Sequence, residues 1–361
     1  MRILLVCSEF PPTLSGYARI AQQLMQGFRA HGHDVEVLTG GQGCGRIARI
    51  AYLTSYGRSR IRDAWDIIQI VGPTPFFTEA TVRASTRNGS PIVYTVNALP
   101  GLATYFRFPG VTAVDSLYEH SVLRGALARA SHLVFNTEEF ARYFGTMGRP
   151  YSVIPYGISE CDLAQDEQGH LAWQEPPPRE PGRFRVLFVG QLRAYKGIET
   201  LIAAIALLQK DAGVRFTLSI VGAGPDAGRL RGIVERHRLT EVVRLLGGTD
   251  HEELHRIYRI HDALVLPSKR GESFGIVLVE ARAHGLVPIS SELPGVGDLA
   301  RRLGGTSFPV GDAVSLADRL REHAGRSTPS VSSLSPKGFL WRTIAAEYIS
   351  LYKQLVSVNR E

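Results

Sequence analysis

The most constraining stretch of the sequence lies between residues 262 and 285. Asp262 to Pro267 is a short apolar run that ends at a proline, which is typical of a buried strand. Apolar residues then recur at helical spacing over 276–283, and Gly285 supplies a residue that commonly follows the end of a helix. The stretch therefore predicts a strand, a polar loop and a helix in direct succession.

The loop between this strand and this helix carries the chemistry. It contains Glu272 and the turn Ser273-Phe274-Gly275, and Glu280 follows two turns into the helix. Free N–H groups at a helix N-terminus attract an anion such as a phosphate. Carboxylates beside that anion suit the hydroxyl groups of a ribose or a sugar. The combination favours a nucleotide-sugar ligand, and a solvated helix with an incidental pair of carboxylates is the alternative.

Residues 267–281 resemble the signature of GT-B-fold retaining glycosyltransferases of family 4, also described as glycosyl transferases group 1. The matching residues are Glu272 and Glu280, the Ser-Phe-Gly turn between them, and Ile276. The resemblance implies an α/β protein of GT-B architecture, with two Rossmann-like doubly wound domains and an interdomain cleft. It also implies a hexosyltransferase that moves a sugar from a UDP- or GDP-linked donor to an acceptor hydroxyl, with retention at the anomeric carbon.

The N-terminal part reads as a βαβ unit, with strands at 3–7 and 35–38. A glycine-containing loop after the first strand is where doubly wound sheets bind ligands, and Gly16 there lets the backbone approach a diphosphate. A plain turn glycine is the alternative. Asn97 follows the strand 91–96, where the family commonly has a histidine near the donor sugar. An amide can hydrogen-bond a hydroxyl, but it does not titrate at neutral pH.

Residues 184–197 resemble the strand and phosphate-binding loop that open the second domain of the family. Lys196 matches the phosphate-binding lysine, with a surface lysine as the alternative, and Gln191 replaces the usual arginine. The resemblance makes Glu272 and Lys196 the catalytic residues, and it assigns Glu280 to the ribose hydroxyls. The full expected donor-binding set is Gly16, Asn97, Gln191, Lys196, Glu272, Ser273, Phe274, Gly275, Ile276 and Glu280.

The chain length of 361 residues indicates two domains. We expect an acceptor-side Rossmann-like domain over 1–165 and a nucleotide-sugar-binding domain over 183–338. The polar, proline-rich segment 166–182 is the expected linker. The resemblance implies that an amphipathic helix within 339–361 packs back on the first domain.

Composition limits the partners and the compartment. The chain is 44% hydrophobic and 21% charged, with a net charge of +7, which is ordinary for a soluble globular protein. The sequence shows no zinc-finger spacing, RNP motif or long basic run, so no nucleic-acid partner is expected. Cys7, Cys44 and Cys161 are odd in number and scattered. They predict neither a disulfide framework nor a metal site, and a cytoplasmic setting follows.

An arginine-rich stretch runs from Arg46 to Arg62 with interleaved aromatic residues. A solvated surface is the favoured interpretation, and a peripheral contact with the inner face of a membrane is the alternative. No Asp-x-Asp motif is present, so no metal cofactor is expected. The acceptor is left open among a carbohydrate, a lipid-linked glycan and a small natural product.

Two other functions remain open from the sequence. One is a GT-B enzyme of another reaction class, such as a sugar-nucleotide epimerase or a phosphorylase, although a pyridoxal-site signature is absent. The other is a non-catalytic partner that binds a nucleotide-sugar. The departures from the family pattern at Asn97 and Gln191 keep this second alternative open.

Overall fold

The protein is represented by a computed structural model. The structure describes residues 1–7, 9–11, 16–39, 64–72, 82, 89–97, 123–165, 171–175, 180–210, 213–326 and 334–358. Two compact units are present: Met1–Tyr156 with Trp341–Glu361, and Gly157–Leu340. The predicted arginine-rich patch from Arg46 to Arg62 and the thiol of Cys44 lie outside the described residues.

The first unit is built on a parallel sheet in which the described strands follow the order β2-β1-β3-β4-β5-β6. Side chains on both faces of the central strands are buried, which explains their nearly continuous Val, Ile and Leu runs. The strands are β1 (Arg2–Cys7), β2 (Asp34–Thr39), β3 (Ile67–Val71), β4 (Ile92–Thr95), β5 (His132–Phe135) and β6 (Tyr151–Val153). Among the described residues before Gly157, the helices are α1 (Gly16–Ala30), α2 (Arg124–Leu127) and α3 (Glu138–Phe144).

The second unit has a parallel sheet in the order β11-β10-β9-β12-β13-β14 and a separate antiparallel pair, β7-β8. Its strands are β7 (Ala164–Gln165), β8 (Leu171–Ala172), β9 (Arg183–Val189), β10 (Arg215–Val221), β11 (Val243–Gly247), β12 (Ala263–Leu266), β13 (Val287–Ser291) and β14 (Thr306–Phe308). Its helices are α4 (Ile198–Leu208), α5 (Ala227–Arg236), α6 (His251–Arg259), α7 (Ile276–Ala283), α8 (Gly297–Arg302) and α9 (Ala313–Ala324). The predicted strand, loop and helix over 262–285 are confirmed.

The core of the second unit lies between helix α4 and the sheet. The helix presents an apolar stripe at helical spacing, which includes Leu201, Ile202 and Ile205, all fully buried. These side chains pack in one cluster with the buried residues of β9 and β10, such as Val186 and Leu218. Burial of this stripe holds the loop before α4 in place, and that loop carries Lys196.

A C-terminal helix, α10 (Trp341–Val358), belongs to the first unit. Tyr348 and Tyr352 lie on one face of α10 and contact the ring of Phe28 on α1 edge-on. Their hydroxyl groups reach a buried polar pair in the sheet: Tyr352 donates to Oε1 of Gln69 at 2.7 Å, and Tyr348 lies 2.9 Å from Oγ1 of Thr95. Hydrogen bonds of this kind remove the cost of burying an amide in a parallel sheet.

The division between the units falls after Tyr156, earlier than the sequence suggests. Residues 157–165, expected at the end of the first domain, and the described part of the expected linker, 171–175 and 180–182, group with the second unit. The side chain of Trp173 explains part of this difference, because it packs against Phe339 and donates to the carbonyl of Leu334 at 2.8 Å. A large indole surface is more stable in such a contact than in water.

Helix α10 has the composition of an amphipathic helix rather than a membrane span. Throughout the part of the chain that the structure describes, no helix combines the length and the apolar character needed to cross a bilayer.

Removal of one buried hydroxyl tests how α10 is fixed. Tyr352→Phe leaves Oε1 of Gln69 without its donor, and an unsatisfied buried acceptor costs about 1–3 kcal/mol. We expect the calorimetric melting temperature of the first unit to fall by several degrees. Tyr143→Phe is the matched control, since that side chain is 71% exposed and should leave the melting temperature unchanged. Equal melting temperatures for both variants would contradict the account of α10.

Candidate functional site

The candidate site lies at the carboxyl ends of β9 and β12, which are neighbours in the sheet of the second unit. The strand order reverses there: β10 and β11 lie on one side of β9, and β12, β13 and β14 on the other. Open α/β sheets bind ligands at this kind of position, because the loops from the two strands diverge. Residues 190–197 follow β9, and residues 267–275 follow β12.

The two loops are packed directly against each other. The amide of Lys269 donates to the carbonyl of Tyr195 at 2.7 Å. Gly197 has a φ of +66°, and a Cβ added there would lie 1.9 Å from the carbonyl oxygen of Pro267. Glycine is therefore required at this position both by conformation and by space. Its close approach places Lys196 beside the β12 loop.

Lys196 and Glu272 form an ion pair across the two loops. The side chains are only 16% and 14% exposed, so both charges are largely removed from water. Oγ of Ser268 donates to the same carboxylate at 3.3 Å. Neither charge of this pair is fully solvated. Each can therefore exchange its partner in the pair for a ligand, the cation for an anionic group and the anion for a hydrogen-bond donor.

The protonation state of Lys196 follows from its surroundings. Burial is the largest single influence and lowers the pKa of its ammonium group, but the charge of Glu272, the neighbouring Tyr195 and the hydrogen bond to Glu272 together outweigh it, and the pKa is raised above its ordinary value. A raised lysine pKa stabilises the folded state below the pKa of the unfolded chain, and this contribution is lost as the pH rises through the folded value. Lys196 is therefore a cation at neutral pH.

Gly275 immediately precedes helix α7, and its φ of +76° is left-handed. A Cβ added there would lie 2.7 Å from the side chain of Leu266, so the turn needs glycine. A glycine offers no side chain to cap the first turn, and no acidic residue lies in that turn. Ser273 and Phe274 are buried just before it. The arrangement leaves the partial positive charge of the helix start without an acidic side chain in that turn.

Glu280 is the deepest of the predicted residues. It lies in α7 with only 5% exposure, and the hydroxyl of Tyr258 donates to its Oε2 at 3.0 Å. Tyr258 in turn stacks on the ring of His284, with centroids 4.9 Å apart. Sequence reasoning missed the role of Tyr258. A buried tyrosine hydroxyl needs a polar partner, and this rule is the signal that could have identified Tyr258.

Gln191 and Arg193 lie near the start of the β9 loop. Gln191 is exposed, and its Oε1 accepts a hydrogen bond from Nε of Arg193 at 3.2 Å. The position at which the family usually has an arginine therefore holds the neutral side chain of Gln191, next to the guanidinium group of Arg193. Lys196 is the cation in contact with the predicted carboxylate Glu272, and Ile276 follows in the first turn of α7.

Two of the predicted donor-binding residues belong to the first unit. Gly16 begins α1, and an added Cβ there would meet nothing within 4 Å, so the described residues give no steric reason for glycine. Asn97 follows β4 and is buried, where its Oδ1 accepts a hydrogen bond from the hydroxyl of Tyr156 and its Nδ2 donates to the carbonyl of Thr95 at 3.3 Å. Both of its amide atoms thus have partners within the first unit.

The part of the chain that matches a known family lies within the second unit. Residues 172–324 match the family model described as "Glycosyl transferases group 1". A glycogen synthase of Mycobacterium tuberculosis is 26% identical over 394 aligned residues, which cover 98% of this chain and 94% of that protein.

Solved structures match nearly the whole chain. Sucrose-phosphate synthase from Thermosynechococcus elongatus superposes with a TM-score of 0.74 at 21% identity, covering 99% of both chains. The Anabaena protein HepE in complex with UDP-glucose gives a TM-score of 0.67 at 18% identity, covering 97% of this chain and 100% of that one. At these identities the likeness is one of fold.

The predicted fold class is confirmed: the protein has an α/β structure of GT-B architecture, with two Rossmann-like units. The predicted resemblance is confirmed as well. This protein is a glycosyltransferase that resembles glycosyl transferases group 1.

A substitution at Gly197 tests whether the loop contact positions Lys196. Gly197→Ala forces the backbone away from Pro267, and we expect a loss of more than about 2 kcal/mol in the free energy of unfolding, together with a large loss of transfer activity. Gly232→Ala is the matched control in the interior of α5, where nothing lies within 4 Å of the added Cβ. That control should stabilise the protein by about 0.5–1 kcal/mol. Calorimetry of the two variants decides, and a neutral Gly197→Ala would contradict the account.

Proposed function

We propose that the protein transfers a sugar from a nucleoside-diphosphate donor to an acceptor hydroxyl, with retention at the anomeric carbon. The observation that carries the proposal is the ion pair of Lys196 and Glu272 at the reversal point of the second sheet, next to a helix start that no side chain caps. The complex of HepE with UDP-glucose supports a uridine diphosphate sugar as the donor.

The ion pair supplies complementary sites for the two ends of the reacting bond. A donor diphosphate is an anion, and it replaces the Glu272 carboxylate as a partner of the Lys196 ammonium. Glu272 is then available to accept hydrogen bonds from hydroxyl groups of the donor sugar. Ser268 holds the carboxylate in place during this exchange, since its hydroxyl contacts Oε1.

The nucleoside lies against α7 in this proposal. The Glu280 carboxylate accepts hydrogen bonds from the ribose hydroxyls, and Tyr258 fixes its orientation through Oε2. Because Glu280 is buried and already hydrogen-bonded in the protein alone, ribose binding needs little rearrangement of this side chain.

Bond cleavage moves negative charge onto the diphosphate and positive charge onto the anomeric carbon. Lys196 and the backbone N–H groups at Ser273, Phe274 and Gly275 stabilise the leaving diphosphate. Glu272 stabilises the positive charge on the sugar. No Asp-x-Asp motif supplies a metal ion to the diphosphate, so we assign this charge to the protein groups, with Gln191 and Ile276 as further donor contacts of the second unit.

Product analysis with a panel of nucleotide-sugars tests the proposal. A donor should raise the melting temperature by mass action, and its sugar should appear on a carbohydrate, lipid-linked or small-molecule hydroxyl with the anomeric configuration of the donor. Proton NMR of the product reads that configuration from the anomeric coupling. An epimeric nucleotide-sugar formed without an acceptor would show an epimerase, and donor binding without turnover would favour a binding protein.

Glu280→Ala tests the ribose assignment. A lost hydrogen bond to a charged group costs about 1.5–3 kcal/mol, so we expect the Kd for the nucleoside diphosphate to rise at least about tenfold in calorimetry. Glu292→Ala is the matched control, because that exposed glutamate pairs with Arg301 and not with the site. An unchanged Kd in Glu280→Ala would remove this residue from the donor site.

Lys196→Ala and Gln191→Ala should have unequal effects on turnover. Loss of the charged donor should lower kcat by about 10²–10³, the scale for one oxyanion donor. Loss of the neutral amide should cost about 0.5–1.5 kcal/mol, the worth of one neutral hydrogen bond. Steady-state rates with the true donor measure both. If Lys196→Ala turns over nearly as fast as the wild type, the diphosphate assignment fails.

A further inference from the structure

A second cluster of chemically active side chains lies in the same unit, apart from Lys196 and Glu272. Its members are Cys161, Asp162 and His255, and one ligand atom from each lies within 4.8 Å of the others. Nε2 of His255 is 3.2 Å from Oδ1 of Asp162. A thiol, a carboxylate and an imidazole form a mixed donor set of the kind that binds transition metals.

The hydrogen bonds around His255 fix its tautomer. Nδ1 of His284 lies 2.8 Å from the carbonyl oxygen of Glu280, which can only accept, so Nδ1 of His284 carries a proton. In a neutral His284, Nε2 then accepts, and it lies 2.7 Å from Nδ1 of His255. His255 must donate through Nδ1, and a neutral His255 therefore presents the lone pair of Nε2 to the carboxylate of Asp162.

The lone pair on His255 and the anion on Asp162 repel each other unless a positive charge lies between them. That charge is either a proton on His255 or a metal cation.

The position of the Asp162 side chain is fixed by a 3-10 turn and by a hydrogen bond to the backbone. It ends the 3-10 turn Glu160–Asp162, and its Oδ2 accepts a hydrogen bond from the amide of Ser159 at 2.8 Å. The side chain is 1% exposed, and its other oxygen is directed at His255. A fully buried carboxylate with one oxygen on an imidazole nitrogen needs a compensating cation.

We propose that Cys161, Asp162 and His255 form a binding site for a divalent transition metal, with zinc as the best match to this donor set. A thiolate and a carboxylate together neutralise a doubly charged ion, and water takes the fourth position, as at zinc sites with three protein ligands. Tetrahedral zinc holds its ligand atoms about 3.3–3.7 Å apart, so a rotation of the exposed Cys161 side chain completes the set.

His284 is the outer-shell partner of this site. Its Nε2 accepts a hydrogen bond from Nδ1 of His255, and its own Nδ1 donates to the carbonyl of Glu280. Hydrogen bonds of this kind orient the histidines that bind a metal. The bound ion ties the turn 160–162 to α6, and through His284 to α7. The scattered positions of the cysteines hid this site, because the thiol meets its co-ligand His255 only in the folded chain.

Metal titration of the full-length, chelator-treated protein tests the proposal. Co²⁺ should bind at one equivalent and give a thiolate-to-cobalt charge-transfer absorption, and Zn²⁺ should displace it. Cys161→Ser should abolish that absorption and weaken Zn²⁺ binding at least about tenfold, while the protein stays folded because the residue is exposed. His237→Ala is the matched control, since it removes an exposed imidazole elsewhere in the unit and should bind Co²⁺ like the wild type.

Three outcomes would overturn the site. The first is the absence of charge-transfer absorption in the wild type at excess Co²⁺, which would leave a protonated His255 paired with Asp162. The second is Zn²⁺ affinity that is unchanged in Cys161→Ser. The third is an absorption that survives in Cys161→Ser and disappears in Cys44→Ser, which would assign the ion to another thiol.

Discussion

The contact between the β9 loop and the β12 loop positions the residues of the proposed donor site. Two adjacent parallel strands deliver Lys196 and Glu272 to the same edge of the sheet, and Gly197 lets the backbones approach closely enough for the side chains to pair. Neither charge would be stable there alone, since an isolated ion loses its hydration on burial. Each charge therefore holds the other in place, and in the proposed function a donor with its own charge and hydroxyl groups takes over both contacts.

Helix α7 links this pair to the rest of the second unit. Its first turn offers amides to an anion, its second turn carries the buried Glu280, and its carbonyl at Glu280 receives a hydrogen bond from His284. The proposed donor site and the proposed metal site thus lie at opposite ends of one chain of contacts, which runs from Glu280 through Tyr258 and His284 to His255. A helix of eight residues is held by polar contacts as well as by apolar packing.

Sequence patterns predicted the strands, the loop and α7, because burial, helical periodicity and glycine positions are local properties. They also selected Lys196 and Glu272, which are far apart in sequence and meet in the structure. Tyr258 and His284 were not found, since their roles depend on how α6 packs on α7, which no short pattern encodes. The end of the first unit at Tyr156 was missed for a similar reason: Trp173 joins the second unit through contacts with Leu334 and Phe339, far along the chain.

A crystal structure of the protein with its nucleotide-sugar donor tests the central claim most directly, because it shows both partners of the ion pair at once. We expect Nζ of Lys196 to lie within hydrogen-bond distance of a diphosphate oxygen and the Glu272 carboxylate to contact a hydroxyl of the sugar, with the ion pair opened. A donor bound elsewhere, with Lys196 still paired to Glu272, would contradict it.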